Sequence, residues 1–147
     1  MQPSFIYRLF FLLITLCSFS AQAQPYDPDK INKKAMTLYT QAQQRAEDGN
    51  FVIAAGLLGE AIATDKNFVE AYLALAVIYG KLKNYPESIS TYEKAFAIDT
   101  AYTIDFKPAY AAKLAGNGEF EKALAAINDY LSKRTPKNPT TIEKINK

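Results

Sequence analysis

Histidine and tryptophan are absent from the 147 residues, and a single cysteine, Cys17, lies near the N-terminus. Without histidine the chain has no imidazole for acid–base catalysis or for the usual kinds of zinc site. The charges are nearly balanced, with 17 Lys and Arg against 15 Asp and Glu and a net charge of +2. This balance gives no electrostatic reason to expect a nucleic acid or an anionic membrane as a partner.

The carboxylates, hydroxyls and amines that remain form no recognisable catalytic or metal-binding motif. Asp65 and Asp99 recur at equivalent positions of a repeat, which is typical of residues at helix ends. Glu119 and Glu121 stand where a helix begins, and negative charge there is favoured by the helix dipole. The Gly-Asn-Gly turn at 116–118 lacks the Lys and Ser/Thr of a phosphate-binding loop. We therefore expect no enzyme activity, no metal, no cofactor and no small-molecule substrate.

The first 23 residues have the layout of a secretory signal peptide. Arg8 precedes an apolar run over 9–19, and a small-x-small site ends at Ala23, so we expect cleavage before Gln24. The run is shorter than the roughly 20 apolar residues that span a bilayer. An uncleaved anchor or a buried helix is the alternative. We expect an exported protein, periplasmic or extracellular, with outer-membrane association left open and no transmembrane segment after cleavage.

Cys17 raises lipoprotein processing as a further alternative. Leu16 precedes it, whereas the lipoprotein peptidase requires a small residue there, so we disfavour lipidation. Removing residues 1–23 also removes Arg8 and Cys17, which leaves 16 Lys and Arg against 15 Asp and Glu and no cysteine. An exported chain without a disulfide depends on packing alone for its stability.

An internal repeat organises the rest of the chain. Gly-Asn-Phe at 49–51 aligns with Lys-Asn-Tyr at 83–85, an offset of 34 residues. The same offset aligns further small and apolar residues: Ala42 with Ala76, Leu58 with Tyr92, Ala61 with Ala95 and Ile62 with Phe96. An offset of 35 aligns the next set: Ala76 with Ala111, Tyr85 with Phe120 and Ile89 with Leu124. Periods of this length predict repeat architecture, here with units over 35–68, 69–102 and 104–137.

Each unit is predicted to be two helices joined by a turn. In the middle unit Asn84 is predicted as the N-cap of the second helix, with Pro86 in its first turn. Asp27 and Pro28 predict that the first helix begins near residue 28. Pro136 stops the last repeat, so we expect a repeat domain over 24–137 and a capping segment over 138–147, with a short helix at 140–147 laid on the third unit.

Small residues are predicted where helices approach closely. Ala42, Ala76 and Ala111 mark the first helix of each unit, and a larger side chain there would cost about 1–3 kcal/mol by overpacking. The second helices carry small residues at equivalent positions, namely Ala54, Ser88 and Ala123. Larger residues are expected to fill the space between units, namely Leu75, Tyr79, Tyr92 and Phe96.

This pattern resembles the tetratricopeptide repeat (TPR). The middle unit matches the family's eight signature positions with Tyr72, Leu75, Ala76, Tyr79, Tyr85, Ser88, Tyr92 and Ala95. The other units contribute Ala42, Ala54, Ala61, Ala111, Phe120 and Ala123. Thr100 replaces the usual closing proline, Gln41 and Arg45 replace Leu and Tyr in the first unit, and Tyr130 replaces a small residue in the third. The resemblance implies an all-α, right-handed helix-turn-helix solenoid of three units with a short C-terminal capping helix.

The resemblance also implies a concave groove lined by the first helix of each unit. Its candidate residues are Tyr39, Gln43, Glu47, Leu73, Val77, Lys81 and Ala112. One TPR subclass grips a C-terminal carboxylate with Lys, Asn and Arg. The matching positions here are Tyr39, Gln43, Ala74, Asp105 and Ala109, so that clamp is absent. We expect an extended or helical peptide with apolar or aromatic anchors; the alternative is that these residues simply cover the helix surface.

Two functions remain open. The first is an exported scaffold that binds a protein or peptide partner through the concave groove. The second is a structural component, or the front part, of a larger cell-envelope protein, because similar units precede other domains in proteins resembling the OmpA family. The stretch 105–131 resembles the last repeat of such proteins.

Overall fold

Six α-helices make up most of residues 25–134, the part of the chain that the structure, a computed structural model, describes. In chain order they are α1 (Lys33–Glu47), α2 (Phe51–Thr64), α3 (Val69–Lys81), α4 (Tyr85–Ile98), α5 (Lys107–Gly116) and α6 (Phe120–Arg134). Two short 3-10 helices, Pro28–Lys30 and Ile104–Phe106, precede α1 and α5. The described residues contain no strand. The proposed signal peptide and the 138–147 segment lie outside them.

The helices pack as three consecutive pairs, α1 with α2, α3 with α4 and α5 with α6. Neighbouring pairs join where α2 meets α3 and α4 meets α5. The alanines predicted at the close approaches are buried, with Ala42, Ala54 and Ala76 fully inaccessible and Ala111 only 4% exposed. The described residues therefore form the helix-turn-helix solenoid of three units that the repeat predicts.

In each pair, the turn between the two helices contains one residue with a left-handed backbone conformation. Gly49 has φ 77°, Lys83 has φ 59° and Gly118 has φ 86°, and these positions are equivalent by the repeat. The N–H of the residue that follows each of them donates to the carbonyl five residues earlier and ends the preceding helix. These bonds join Asn50 to Arg45 at 2.8 Å, Asn84 to Tyr79 at 2.9 Å and Glu119 to Leu114 at 2.9 Å. This is the Schellman ending, which satisfies carbonyls that the helix itself leaves free.

Asn84 is the N-cap of α4, as predicted, although its side chain makes no capping hydrogen bond. Its backbone N–H donates to Tyr79 O instead, at 2.9 Å. The turn is thus closed from the end of α3, and the sequence Lys-Asn-Tyr indicates its position correctly for a different physical reason.

The first helix also begins later than predicted. Asp27 accepts a hydrogen bond from Asp29 N, at 3.1 Å, but it caps only the 3-10 helix Pro28–Lys30. Ile31 is then extended, with ψ 138°, which ends that turn. The cap of α1 is Asn32, whose side chain accepts from Lys34 N at 2.8 Å.

Aromatic rings fill the junction between the second and third units. Tyr92, Phe96 and Tyr110 form a cluster in which Phe96 and Tyr110 meet edge to face with centroids 5.2 Å apart. The ring of Tyr85 lies so close to Gly116 that a Cβ there would come within 3.1 Å of it. A side chain at position 116 would therefore make the Tyr85 ring shift by a few tenths of an ångström where α4 approaches α5.

The two ends of the solenoid depart from this packing. In the first unit Gln41 and Arg45 are exposed, as expected of a leading helix with one side in water. In the third unit Ala123 is buried at 9%, but Phe120 is 68% exposed, unlike the equivalent Tyr85. None of the helices in the described part of the chain is both long and apolar enough to cross a membrane.

Candidate functional site

A pocket of about 300 Å³ opens between α1 and α3. Tyr39 and Gln43 lie one turn apart on α1, and Gln43 Nε2 donates to the Tyr39 hydroxyl at 3.1 Å. The facing helix α3 contributes residues at helical spacing, and Phe106 reaches in from the 3-10 helix before α5. The full lining is Tyr39, Ala42, Gln43, Ala46, Leu58, Glu70, Leu73, Ala74, Val77, Ile78 and Phe106.

The structure brings together some of the predicted groove residues and separates others. Tyr39, Gln43, Leu73 and Val77 all line the pocket. Leu73 forms its floor, at 4% exposure, whereas Val77 is 40% exposed at its mouth. The remaining three, Glu47, Lys81 and Ala112, are exposed and do not line it. As a defined cavity, the groove predicted over three units lies in the first two, and Phe106 is the one lining residue that comes from the third.

Seven of the eleven lining residues lie outside the predicted groove set, among them Glu70 and Phe106. Glu70 lies one turn before Leu73 and Ala74 on the same face of α3, so helical periodicity could have found it. Phe106 lies in the 3-10 helix Ile104–Phe106 at the start of the third unit, where the repeat predicts an α-helix and gives no sign of a 3-10 turn.

Among residues 25–134, no Lys or Arg side chain lines the pocket. Of the positions compared with the carboxylate clamp, Tyr39, Gln43 and Ala74 line it, while the exposed Asp105 pairs with Arg134 of α6. The one charged side chain among the lining residues is Glu70. A pocket with an apolar floor and a single carboxylate repels a peptide's C-terminal carboxylate.

Two tyrosines hold the Glu70 carboxylate. Tyr26 donates to Oε2 and Tyr102 donates to Oε1, and the two rings meet edge to face with centroids 4.9 Å apart. The hydrogen bond to Glu70, followed by burial, raises the pKa of Tyr102 to about 12. Burial, followed by the Glu70 hydrogen bond, raises the pKa of Tyr26 above its usual value. Both hydroxyls therefore stay protonated at neutral pH and donate to the carboxylate.

Asp65 and Asp99, predicted as helix-end residues, are the C-caps of α2 and α4. They also hold the segment before α1. Asp65 Oδ2 accepts from Asn32 N at 2.9 Å, and Asp99 Oδ2 accepts from Tyr26 N at 3.0 Å. This N-terminal segment, residues 25–32, thus runs across the ends of the first two units and delivers Tyr26 to Glu70.

Over residues 25–134 no group of three or more acidic side chains could hold a metal ion. The hydroxyls nearest the pocket belong to tyrosines that donate to Glu70 or accept from Gln43. The arrangement offers apolar contact, aromatic faces and one negative charge, which are features of recognition.

No family model matches the sequence, and the search of curated proteins returned no match. Similarity is found among solved structures. The crystal structure of MamA has a TM-score of 0.65 at 22% identity, over 68% of this chain and 54% of that chain. This chain therefore spans about half the length of the MamA chain that it matches.

Two further structures match over most of their own length. The first TPR of Spaghetti (RPAP3), bound to the HSP90 peptide SRMEEVD, has a TM-score of 0.65 at 18% identity, over 78% of this chain and 89% of that chain. The Yersinia enterocolitica type III secretion chaperone SycD, in complex with a peptide of the translocator YopD, has a TM-score of 0.65 at 19% identity, over 80% and 88%. At these identities the similarity establishes a shared TPR fold.

Proposed function

We propose that this protein is an exported TPR scaffold that binds a peptide segment of a protein partner in the pocket between α1 and α3. The observation that carries the proposal is the pocket itself. Leu73 is buried at its floor and Val77 is 40% exposed at its mouth, so apolar surface is accessible from outside. Covering a side chain the size of leucine there contributes about 1.5–3 kcal/mol to binding.

The structural neighbours support a peptide as the ligand. RPAP3 and SycD share the fold, and both were solved with a peptide bound. The present chain differs in charge, because the lining contains Glu70 and no Lys or Arg. We therefore propose that the anchor is a side chain within the peptide and that a free C-terminal carboxylate is not recognised.

Export is a separate part of the proposal and rests on residues 1–23. The prediction is that full-chain expression in a secretion-competent host yields mature protein that begins at Gln24, as read from the intact mass of the purified protein. Retention of residues 1–23 in the purified protein would contradict it. A place in a larger OmpA-type envelope protein stays a second hypothesis, and mapping the ends of the native polypeptide tests it.

Selection from a random 12-residue peptide library against the purified protein tests peptide binding directly. The affinity of a selected peptide is then measured for the wild type, Tyr39→Ala and Val77→Asp. We expect both substitutions to weaken binding by at least about tenfold, since each removes apolar contact from the pocket. Selection of no peptide, or unchanged affinity in both variants, would contradict the proposed function.

A further inference from the structure

Glu70 has no cationic partner among the described residues, although it lines a mostly apolar pocket. Its two hydrogen-bond donors are the neutral hydroxyls of Tyr26 and Tyr102, and it forms no ion pair within residues 25–134. The residue is partly buried, in the first turn of α3. A carboxylate in such a place is only partly hydrated.

The tyrosines orient this carboxylate without saturating it. Each carboxylate oxygen can accept two hydrogen bonds, and each Glu70 oxygen accepts one from a tyrosine hydroxyl. One acceptor position on each oxygen is therefore left for a further donor. Tyr39 and Phe106 place aromatic rings in the same lining, and ring faces attract cations.

We propose that the pocket selects a peptide with a Lys or Arg side chain at its anchor position. The aliphatic stem lies against Leu73 and Val77, and the cationic head donates to Glu70. This inference rests on the proposed function and names Glu70 as the residue that determines specificity. Lys and Arg combine a long apolar stem with a charged head, as a pocket with an apolar wall and one carboxylate requires.

Charge decides between the competing anchors. A purely apolar side chain would gain contact with Leu73 and Val77, but it would strip water from Glu70 without replacing the lost hydrogen bonds. An acidic side chain would meet like charge with no cation among the lining residues. Only a basic side chain gains the apolar contact and also pairs with the carboxylate.

Two small probes separate charge from shape. N-acetyl-arginine methylamide and N-acetyl-citrulline methylamide have nearly the same length and shape, but citrulline is uncharged and has a urea carbonyl in place of one NH2 donor of the guanidinium. Their dissociation constants are measured at low salt from the NMR shifts of the Leu73, Ala74 and Val77 methyl groups. We expect the arginine probe to bind at least about fivefold more tightly to the wild type, because the ion pair adds a charge-assisted hydrogen bond.

Glu70→Gln removes the charge and retains the shape. The ratio of the dissociation constants of the two probes should therefore fall to about 1 in this variant. Glu60→Gln is the matched control: Glu60 is exposed on α2 and does not line the pocket, so the preference should stay at its wild-type value. Tyr102→Phe removes one hydroxyl from Glu70 and keeps the charge, so it should also retain the preference.

Equal binding of the two probes to the wild type would overturn the inference, as would a preference that survives in Glu70→Gln. In either case the proposed function would stand if library-selected peptides still bind the pocket. If neither probe shifts the three methyl groups and the library yields no ligand, both the inference and the proposed function fail.

Discussion

The hydroxyl of Tyr26 donates a hydrogen bond to Glu70 Oε2 across 44 positions of sequence. The same residue donates its backbone N–H to Asp99 Oδ2 at 3.0 Å. Tyr26 thereby joins the N-terminal segment to the start of α3 and to the end of α4. The segment that precedes the first repeat is thus part of the wall that positions the pocket's carboxylate.

Tyr26→Phe should destabilise the protein by about 1–2 kcal/mol, because it removes a hydrogen bond to a charged acceptor in a partly buried place. The free energy of unfolding from urea titration gives the measurement. Tyr72→Phe is the control, since the Tyr72 hydroxyl makes no hydrogen bond within residues 25–134. A Tyr26→Phe variant as stable as this control would show that the Tyr26–Glu70 contact contributes nothing.

Asp99 should make stability depend on pH. Backbone N–H donors, first Tyr102 and then Tyr26, hold the pKa of this carboxyl below its usual value. The stabilisation is therefore complete above the unfolded pKa of about 3.9 and is lost as the pH falls through the lower folded pKa.

Asp99→Asn should cost roughly 1 kcal/mol at pH 7, because the amide turns a donor toward an N–H that needs an acceptor. The difference from the wild type should narrow as the pH is lowered toward 2, which chemical denaturation at several pH values measures. A difference that does not change with pH would contradict the proposed origin in the charged carboxylate.

Tyr92→Phe should stabilise the protein. Tyr92 is fully buried, burial raises its pKa to about 12, and its hydroxyl has no hydrogen-bond partner among the described residues. Removing such a hydroxyl should raise the free energy of unfolding by about 1 kcal/mol and raise the melting temperature. Tyr110→Phe should act in the opposite direction, because the Tyr110 hydroxyl donates to Glu93 at 2.8 Å. A lower melting temperature for Tyr92→Phe would refute the assignment.

Ala76→Leu and Lys81→Leu test the packing of α3 as a pair. Ala76 is fully buried, and its carbonyl accepts from Ser88 Oγ at 2.6 Å, so α3 and α4 touch there. The larger side chain should cost about 1–3 kcal/mol by overpacking, whereas Lys81 is exposed and its substitution should cost less than about 0.5 kcal/mol. Equal unfolding free energies for the two variants would count against this register.

The fold could be predicted from the sequence because a pattern that is weak at one position becomes specific when it recurs at a regular spacing. One alanine at position 42 says little, but Ala42, Ala76 and Ala111 at regular spacing identify the close helix contacts, and all three are buried. The capping details were less readable. Asn commonly caps helices with its side chain, yet the turn at Asn84 is closed through its backbone N–H. The residue type alone does not distinguish side-chain capping from a backbone hydrogen bond.

Only part of the pocket lining could be predicted from the sequence, for a related reason. Tyr39, Gln43, Leu73 and Val77 follow from the resemblance to the TPR family and do line the pocket. The contribution of Tyr26 comes from a segment outside the repeat, and no period relates it to Glu70. Contacts between a non-repeating segment and a repeat depend on the path of the chain in space, which local pattern does not encode.

The most direct test of the account compares two exposed valines, one that lines the pocket and one that lies outside it. Val77 lines the pocket at 40% exposure, and Val52 lies on α2 outside it at 74% exposure. For a library-selected peptide, Val77→Asp should raise the dissociation constant by at least about tenfold, by loss of apolar contact and gain of charge, while Val52→Asp should leave it unchanged. Equal dissociation constants for the two variants would contradict the claim that the pocket between α1 and α3 is the binding site.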